Sequence, residues 1–272
     1  MKPFIAKPFI KWCGGKTALL REILPRLPKK INTYYEPFLG GGAVFFALAA
    51  EKRFEDAVLA DSNDDLIETY FSIQNDLEVL IRRLKVHAAK HSKDYFYKVR
   101  AARGGYIAAR LIYLNRTCFN GLYRVNKKGE FNVPFGDYKN PTICDAPNLR
   151  AVCAALRGVR LESSDFELAV RNVKRGDTVY FDCPYIPLSA TSNFVAYAKS
   201  GFNDQDQERL SDVARGLVKR GVHVLLSNSD TPFARKLYKG FKIEKVEAPR
   251  RVNSKASKRG NVGELLISGK NR

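Results

Sequence analysis

The stretch Val179-Tyr180-Phe181-Asp182-Cys183-Pro184-Tyr185 decides how the chain is read. Its β-branched and aromatic start reads as a buried strand. A carboxylate, a proline and an aromatic ring follow where that strand stops. In open α/β sheets, ligands bind outside the carboxyl ends of the strands. An acceptor, a rigid turn and a stacking face would therefore share one rim. That set suits a flat ring carrying an amine: Asp182 and a backbone carbonyl accept its two N–H donors, and Tyr185 lies against the ring. The same residues also suit a strand that ends in a tight turn, with Asp182 bonded to its own backbone. Taken alone, the tetrapeptide leaves both readings open.

The chain around it has 272 residues, 45% of them hydrophobic and 11% aromatic. That is enough for one large α/β domain, or for a core domain with a smaller insert, and it argues against disorder. Lys and Arg number 47 against 28 Asp and Glu, a formal net charge of +19. This excess says little about fold, but it points to a polyanionic partner, most simply nucleic acid. Five scattered cysteines (Cys13, Cys118, Cys144, Cys153, Cys183) form no C-x-x-C pair. A disulfide framework or zinc site is not expected, and a reducing cytosol fits. His87 and His91 stand four apart on an expected helix without a ligand pattern beside them. Neither a signal-peptide core nor an apolar run of membrane-spanning length is expected.

Phe9-Ile10-Lys11-Trp12-Cys13-Gly14-Gly15-Lys16 opens the ordered pattern. Its Gly-Gly-Lys offers backbone N–H groups and a cation to an anion or carboxylate, without the spacing of a P-loop. Thr17 to Leu24 has helical periodicity, with Pro25 and Pro28 expected to stop it. Tyr34-Tyr35-Glu36-Pro37-Phe38-Leu39-Gly40-Gly41-Gly42-Ala43 reads as strand, glycine turn and helix start. Such a turn lets backbone approach a ligand at a helix N-terminus. A second strand, Ala57 to Ala60, ends in Asp61, placed to accept ribose hydroxyls. Residues 64 to about 109 read as basic helices. Residues 114–139 then mix cations, amides and aromatics, the groups that contact bases and phosphates. Within them Val125 to Phe131 reads as a hairpin. Further strands are expected at Val159 to Phe166, His223 to Asp230 and Glu264 to Ile267, with an amphipathic helix from Asp206 to Arg220. Ile186 to Phe202 reads as a mobile flap, and Arg250 to Gly260 as a basic loop.

Assembled, these stretches resemble the Dam-type DNA adenine methyltransferases over nearly the whole chain, from about Phe9 to Ile267. The resemblance is carried by Glu36-Pro37-Phe38, Leu114-Asn115-Arg116, Gly129-Glu130-Phe131-Asn132-Val133-Pro134-Phe135-Gly136, Asp182-Cys183-Pro184-Tyr185 and Pro187-Leu188-Ser189-Ala190-Thr191, in the family's order. It implies a Rossmann-like methyltransferase sheet from residues 1–63 and 145–272, with a mostly helical DNA-recognition insert at 64–144 that carries the hairpin. It also implies a monomeric, metal-independent, cytoplasmic enzyme of bacterial or phage origin, associated with the nucleoid, that uses S-adenosylmethionine and acts on the adenine of GATC in double-stranded DNA.

By the same resemblance, Trp12 and Lys16 hold the methionine end of the cofactor, over a turn that includes Phe38, Gly40 and Gly42. Asp61 takes the ribose, and Asp165 with Phe166 takes the adenine. Asp182 with the carbonyl of Cys183 grips the target amine, and Pro184 and Tyr185 complete the motif. Lys11 and Tyr138 read the first G·C pair, Leu122 and Pro134 the thymine methyl, and Arg124 the outer guanine. Phe119 wedges into the stack and Asn120 supports the flip. Arg116, Asn126, Asn132 and Lys139 meet phosphates. The chain departs from the family at Cys183, where proline is usual, at Phe119, where tyrosine is usual, and at Asp137, where a cation is common. Two competing readings are the same chemistry on another target and a DNA-binding regulator without catalysis. Cys183 is the feature that favours the second.

Overall fold

The computed structural model describes residues 5–102, 104–187, 202–249 and 261–269. Residues 188–201 of the expected flap, with the Leu188 to Thr191 part of the Pro187 motif, and the basic loop at 250–260 lie outside the described residues. Seven strands are present: β1 Ile31–Glu36, β2 Phe54–Asp61, β3 Arg160–Ser163, β4 Thr178–Phe181, β5 His223–Ser229, β6 Lys242–Pro249 and β7 Asn261–Gly269. Their order across the sheet is β3-β2-β1-β4-β5-β7-β6. β1 runs parallel to β2 and β4, and β4 parallel to β5, whereas β7 is antiparallel to both β5 and β6. This is a doubly wound order with one reversed strand inserted near its edge. β6 was not anticipated from the sequence. The expected strand at 264–267 is the middle of β7.

The helices are α1 Leu20–Ile23, α2 Ala43–Ala50, α3 Asp64–Asn75, α4 Leu77–Ala89, α5 Lys93–Ala101, α6 Ile107–Thr117, α7 Ala146–Ala155, α8 Phe166–Ala169, α9 Asp204–Lys219 and α10 Pro232–Leu237. Side-chain caps set several of their starts. Asn63 accepts from Leu66 N, Ser92 from Tyr95 N and Thr231 from Ala234 N. α9 opens on a capping box between Asn203 and Asp206. Each cap supplies a partner to an N–H that the helix leaves unpaired. Pro25 does not end the first helical stretch. It sits in a 3-10 turn, Leu24–Arg26, at a position where its missing N–H is not needed.

The chain groups into two compact units. One holds Met1–Lys16, Gly40–Glu51 and Asn63–Ser163; the other holds Thr17–Leu39, Lys52–Ser62 and Ser164–Arg272. In the second unit, residues of five strands enter one apolar cluster: Tyr35 of β1, Val58 of β2, Val179 and Phe181 of β4, Val224 and Leu226 of β5, and Leu265 and Ile267 of β7. Leu210, Ala214 and Leu217 of α9 join them. All four residues of β4 are buried, as its uninterrupted apolar run requires. Among the described residues, no helix is long and apolar enough to cross a membrane.

The first unit is mostly helical, and a polar aromatic knot lies within it. His87 stacks on Tyr113 at 4.8 Å and meets the Tyr95 hydroxyl through Nδ1 at 3.0 Å. His91 Nδ1 lies 3.0 Å from the Tyr113 hydroxyl. Burial, then Arg83 and Lys90, lower the His87 pKa, and burial lowers that of His91. Burial first, then the neighbouring Tyr95, pushes the Tyr113 phenol up to about 12. The folded chain therefore protonates these two imidazoles at lower pH than the unfolded chain does. Their contribution to stability is complete above the unfolded histidine value and is lost as pH falls through the folded values. The urea midpoint should thus drop between about pH 7 and pH 5. A His87→Gln/His91→Gln variant should show a smaller drop, and an equal one would exclude these rings as the source.

Candidate active site

The strand order reverses between β1 and β4, the place where doubly wound sheets hold their ligands. β1 ends there in Glu36, and β4 ends in Phe181 with Asp182 next. Asp182 is half-buried, Cys183 is buried and Pro184 is exposed. The path of this segment is fixed by side chains from two other elements. Asn228 of β5 accepts from Ile186 N at 3.2 Å and from Ser229 N at 2.8 Å. Its amide nitrogen donates to Gln207 Oε1 at 3.1 Å and meets Cys183 Sγ at 3.7 Å. Gln207 of α9 donates to the Pro184 carbonyl at 2.7 Å. The Cys183 thiol lies 3.7 Å from the Ser227 carbonyl. Asn228 and Gln207 thus hold the main chain on both sides of Tyr185.

Three phenols line this rim. Tyr34 donates to Glu36 Oε2 at 2.9 Å, Tyr180 pairs with Ser227 Oγ at 2.7 Å, and Tyr185 donates to Glu264 Oε2 at 2.6 Å. Burial is the main cause that raises all three pKa values. Negative neighbours add to it: Glu36 for Tyr34, and Asp182 for Tyr180 and Tyr185. The phenols therefore stay protonated and act as donors near neutral pH.

In the same unit, the expected cofactor residues form a second group. Phe38 stacks on Phe166 at 5.4 Å, with Phe202 edge-on to both at 5.6 and 5.8 Å. Asp165 caps α8 through Glu167 N and receives both guanidinium nitrogens of Arg209, at 3.1 and 2.9 Å. Arg209 also lies 4.5 Å over the Phe166 ring. Sequence reading missed Arg209, which reaches Asp165 from a helix forty-four residues on. Asp61 is half-buried at the end of β2, and its carbonyl accepts from Ser164 N at 3.1 Å. Two carboxylates with stacked aromatics near strand ends are an acceptor set and a stacking face that suit the hydroxyls, amine and ring of an adenosine, so these residues fit such a group.

The first unit holds the other expected residues. Trp12 stacks on Tyr123 at 5.2 Å and closes a turn through its carbonyl to Gly15 N. Gly40 has φ +49°, and a Cβ there would stand 2.7 Å from Trp12 Cδ1, so only glycine lets this indole approach. Gly42, at φ +68°, precedes α2. Lys16 is buried, and its ammonium donates to Gly14 O at 2.6 Å.

One buried amide ties the start of residues 114–139 to Lys11 and Gly121. Asn115 accepts from Lys11 N and donates to Lys11 O, both at 2.8 Å, and donates to Gly121 O at 2.9 Å. Lys11 Nζ lies 3.4 Å from the Tyr138 hydroxyl and 4.7 Å over its ring. Phe119 is 52% exposed, a large apolar ring presented to solvent. Asn120 next to it holds φ +56°. A short hairpin does form, bridged at Val125 and Phe131. Arg124 Nε is held by Asn132 Oδ1 at 2.7 Å. Asn126 is committed to the turn, where Oδ1 accepts from Lys128 N and Glu130 N. Leu122 is half-buried, whereas Pro134 and Lys139 are exposed. Arg116 is half-buried and donates to Phe9 O at 3.0 Å; burial lowers its pKa, against the pull of Asp145.

A doubly wound order with a half-buried carboxylate, a proline and a tyrosine just past the strand at its switch point places polar groups where this fold class holds its ligands. The family model of D12 class N6 adenine-specific DNA methyltransferases matches residues 12–252. The chain is 45% identical over 273 residues to the Type II methyltransferase M1.LlaDCHI of Lactococcus lactis subsp. cremoris, covering 96% of this chain and 95% of that one. It is also 45% identical over 287 residues to the Type II methyltransferase M.MjaIII of Methanocaldococcus jannaschii, covering 96% and 98%. To a protein named DNA adenine methylase from Escherichia coli it is 36% identical over 267 residues, covering 96% and 94%. The chain belongs to the D12 class of N6 adenine-specific DNA methyltransferases.

Asn228→Ala removes the acceptor of two main-chain N–H groups and should destabilise the chain by about 1–3 kcal/mol for each donor left buried and unpaired. Urea unfolding measures this, and a midpoint shift no larger than that of a surface variant would show that the amide is dispensable.

Proposed function

We propose that the chain transfers a methyl group from S-adenosylmethionine to the exocyclic amine of an extruded adenine in double-stranded GATC. The observation that carries this reading is the Asp182-Cys183-Pro184-Tyr185 segment, held by Asn228 and Gln207 at the carboxyl end of β4 in a chain of this family. A duplex hides the adenine amine, so the base must leave the stack. Asp182 and the carbonyl of Cys183 accept hydrogen bonds from its two N–H groups, which localises on nitrogen a lone pair otherwise shared with the ring and aims it at the incoming methyl group. Tyr185 supports the ring. When bound, S-adenosylmethionine supplies a methyl carbon on a sulfonium leaving group. Asp61 holds the ribose, Asp165 and Phe166 the adenine, and Trp12, Lys16 and the Phe38 to Gly42 turn the methionine end. The protein's own share is positioning of the amine, which needs no covalent intermediate.

In this assignment residues 64–144 form the recognition part. Lys11, Tyr138, Leu122, Pro134 and Arg124 read base edges. Phe119 fills the gap left by the base, with Asn120 beside it, and Arg116, Asn126, Asn132 and Lys139 bind phosphates. The exposure of Phe119 supports its role. The enzyme acts as a monomer, without metal, on nucleoid DNA in the cytoplasm.

Purified protein with S-adenosylmethionine should protect GATC duplexes from a nuclease that methylation blocks, and Asp182→Ala should abolish protection. Full cleavage after incubation with the wild-type protein would reject the reading, and a modified-base map would show any other target. Arg124→Ala should cost about 1–3 kcal/mol at one base pair, whereas Lys139→Ala should weaken binding to all sequences alike. A uniform loss from Arg124→Ala would remove that residue from base reading.

A further inference from the structure

Tyr185 is held at both ends. On the backbone side, the Pro184 carbonyl is bonded to Gln207 and the Ile186 N–H to Asn228. At the tip, the hydroxyl donates to Glu264 Oε2 at 2.6 Å. Glu264 belongs to β7 and is paired with Ser229 of β5 on one side and Val246 of β6 on the other, so its own backbone is fixed. Leu265 and Ile267 enter the apolar cluster, and strand alternation puts Glu264 on the opposite face. A phenol bonded to a carboxylate makes one of the stronger side-chain hydrogen bonds. Neither the lone carboxylate of β7 nor the tetrapeptide hints at the pairing, because the partners lie 79 residues apart.

An aromatic side chain has two soft torsions, and a stacking platform works only when its plane is set. We infer that Glu264 is a positioning residue for methyl transfer: through the Tyr185 hydroxyl it fixes the ring on which the extruded base rests. The inference rests on the proposed function, where Tyr185 meets the base. Glu264 acts through Tyr185 and not on the substrate.

The experiment compares Glu264→Ala, Glu264→Gln, Tyr185→Phe and the combined Glu264→Ala/Tyr185→Phe variant by steady-state methylation of a GATC duplex. Thermal melting of each variant checks folding. Glu264→Ala should lower kcat about tenfold, the rate equivalent of a hydrogen bond to a charged group, with KM for S-adenosylmethionine unchanged. Tyr185→Phe should match it, and the combined variant should be no slower than the slower single one, because both break the same bond. Glu264→Gln keeps an acceptor oxygen and should recover most of the rate. With 2-aminopurine in place of the target adenine, Glu264→Ala and Tyr185→Phe should both give brighter fluorescence than wild type, since a loose ring quenches the extruded base less.

Multiplying losses in the combined variant would overturn the inference. So would a Tyr185→Phe rate within about twofold of wild type, a result that stands even if Glu264→Ala fails to fold. Wild-type protein that methylates adenine while the folded Glu264→Ala variant equals it rejects the role of Glu264 alone. Wild-type protein that methylates no adenine rejects the proposed function as well.

Discussion

The segment after β4 depends on the buried side-chain amide of Asn228. Its oxygen takes two main-chain N–H groups, from Ile186 and Ser229, and its nitrogen serves Gln207 and Cys183. Gln207 passes the constraint on to the Pro184 carbonyl. A buried network with every member engaged is rigid, because any displacement orphans a polar group in a low dielectric. This matters at a strand end, where ladder hydrogen bonds no longer dictate the path. Asp182 can then be presented partly to solvent without being loose. Charge stabilisation of a reacting amine works best from acceptors that need no reorganisation. For the methyl transfer proposed above, Asn228 supplies that condition from β5, the strand adjacent to β4.

The parts legible in the sequence were those with local signatures. The run Val179 to Phe181 is buried strand because it is apolar without alternation. The Gly40 to Gly42 turn announced itself by composition, and the structure adds the reason, since Gly40 leaves room for Trp12. Asp61 stands at a strand end as its spacing after the glycines implied. The parts not legible act over long separations. Asn228 meets Ile186 across 42 residues, and Arg209 meets Asp165 across 44. Neither amides nor arginines carry a pattern that tells a buried strut from a surface side chain. β6 was missed because Lys242-Ile243-Glu244-Lys245-Val246-Glu247 alternates charge with only two branched apolar residues. Its pairing with β7 makes it a strand, and tertiary context outweighs its weak intrinsic preference.

Cys183 shows how the site can change one residue and keep its geometry. Proline at this position would fix φ through its ring. Here the side chain is buried at 2% exposure and touches the Ser227 carbonyl and the Asn228 amide. Sulfur contacts at 3.7 Å are weak, but a buried thiol packs as a small apolar group. The neighbouring Asn228 and Gln207 bonds act on Pro184 and Ile186, so the segment is clamped downstream of the substitution. In the function proposed above, the group used at this position is a backbone carbonyl, which cysteine supplies as well as proline does. The substitution therefore removes covalent stiffness where hydrogen bonds already restrict the path, and it gives no support to a chain without catalysis.

The two faces of the sheet near β4 make different demands on the same strands. One face is apolar, with Tyr35, Val179, Phe181, Val224, Leu226, Leu265 and Ile267 packed together. The alternate positions include Tyr34, Glu36, Tyr180, Ser227 and Glu264, polar side chains where an ordinary interior would place aliphatic ones. Burying phenols and carboxylates costs free energy unless each is bonded. Tyr34 with Glu36, Tyr180 with Ser227, and Tyr185 with Glu264 meet that condition pair by pair. The pairs also keep donors and acceptors aimed in fixed directions at the strand ends. Stability alone would favour aliphatic residues at these positions, because replacing both members of a buried pair by apolar groups is often neutral or better. These polar pairs reach the rim where β1, β4 and β5 end and antiparallel β7 begins, beside the Asp182 segment.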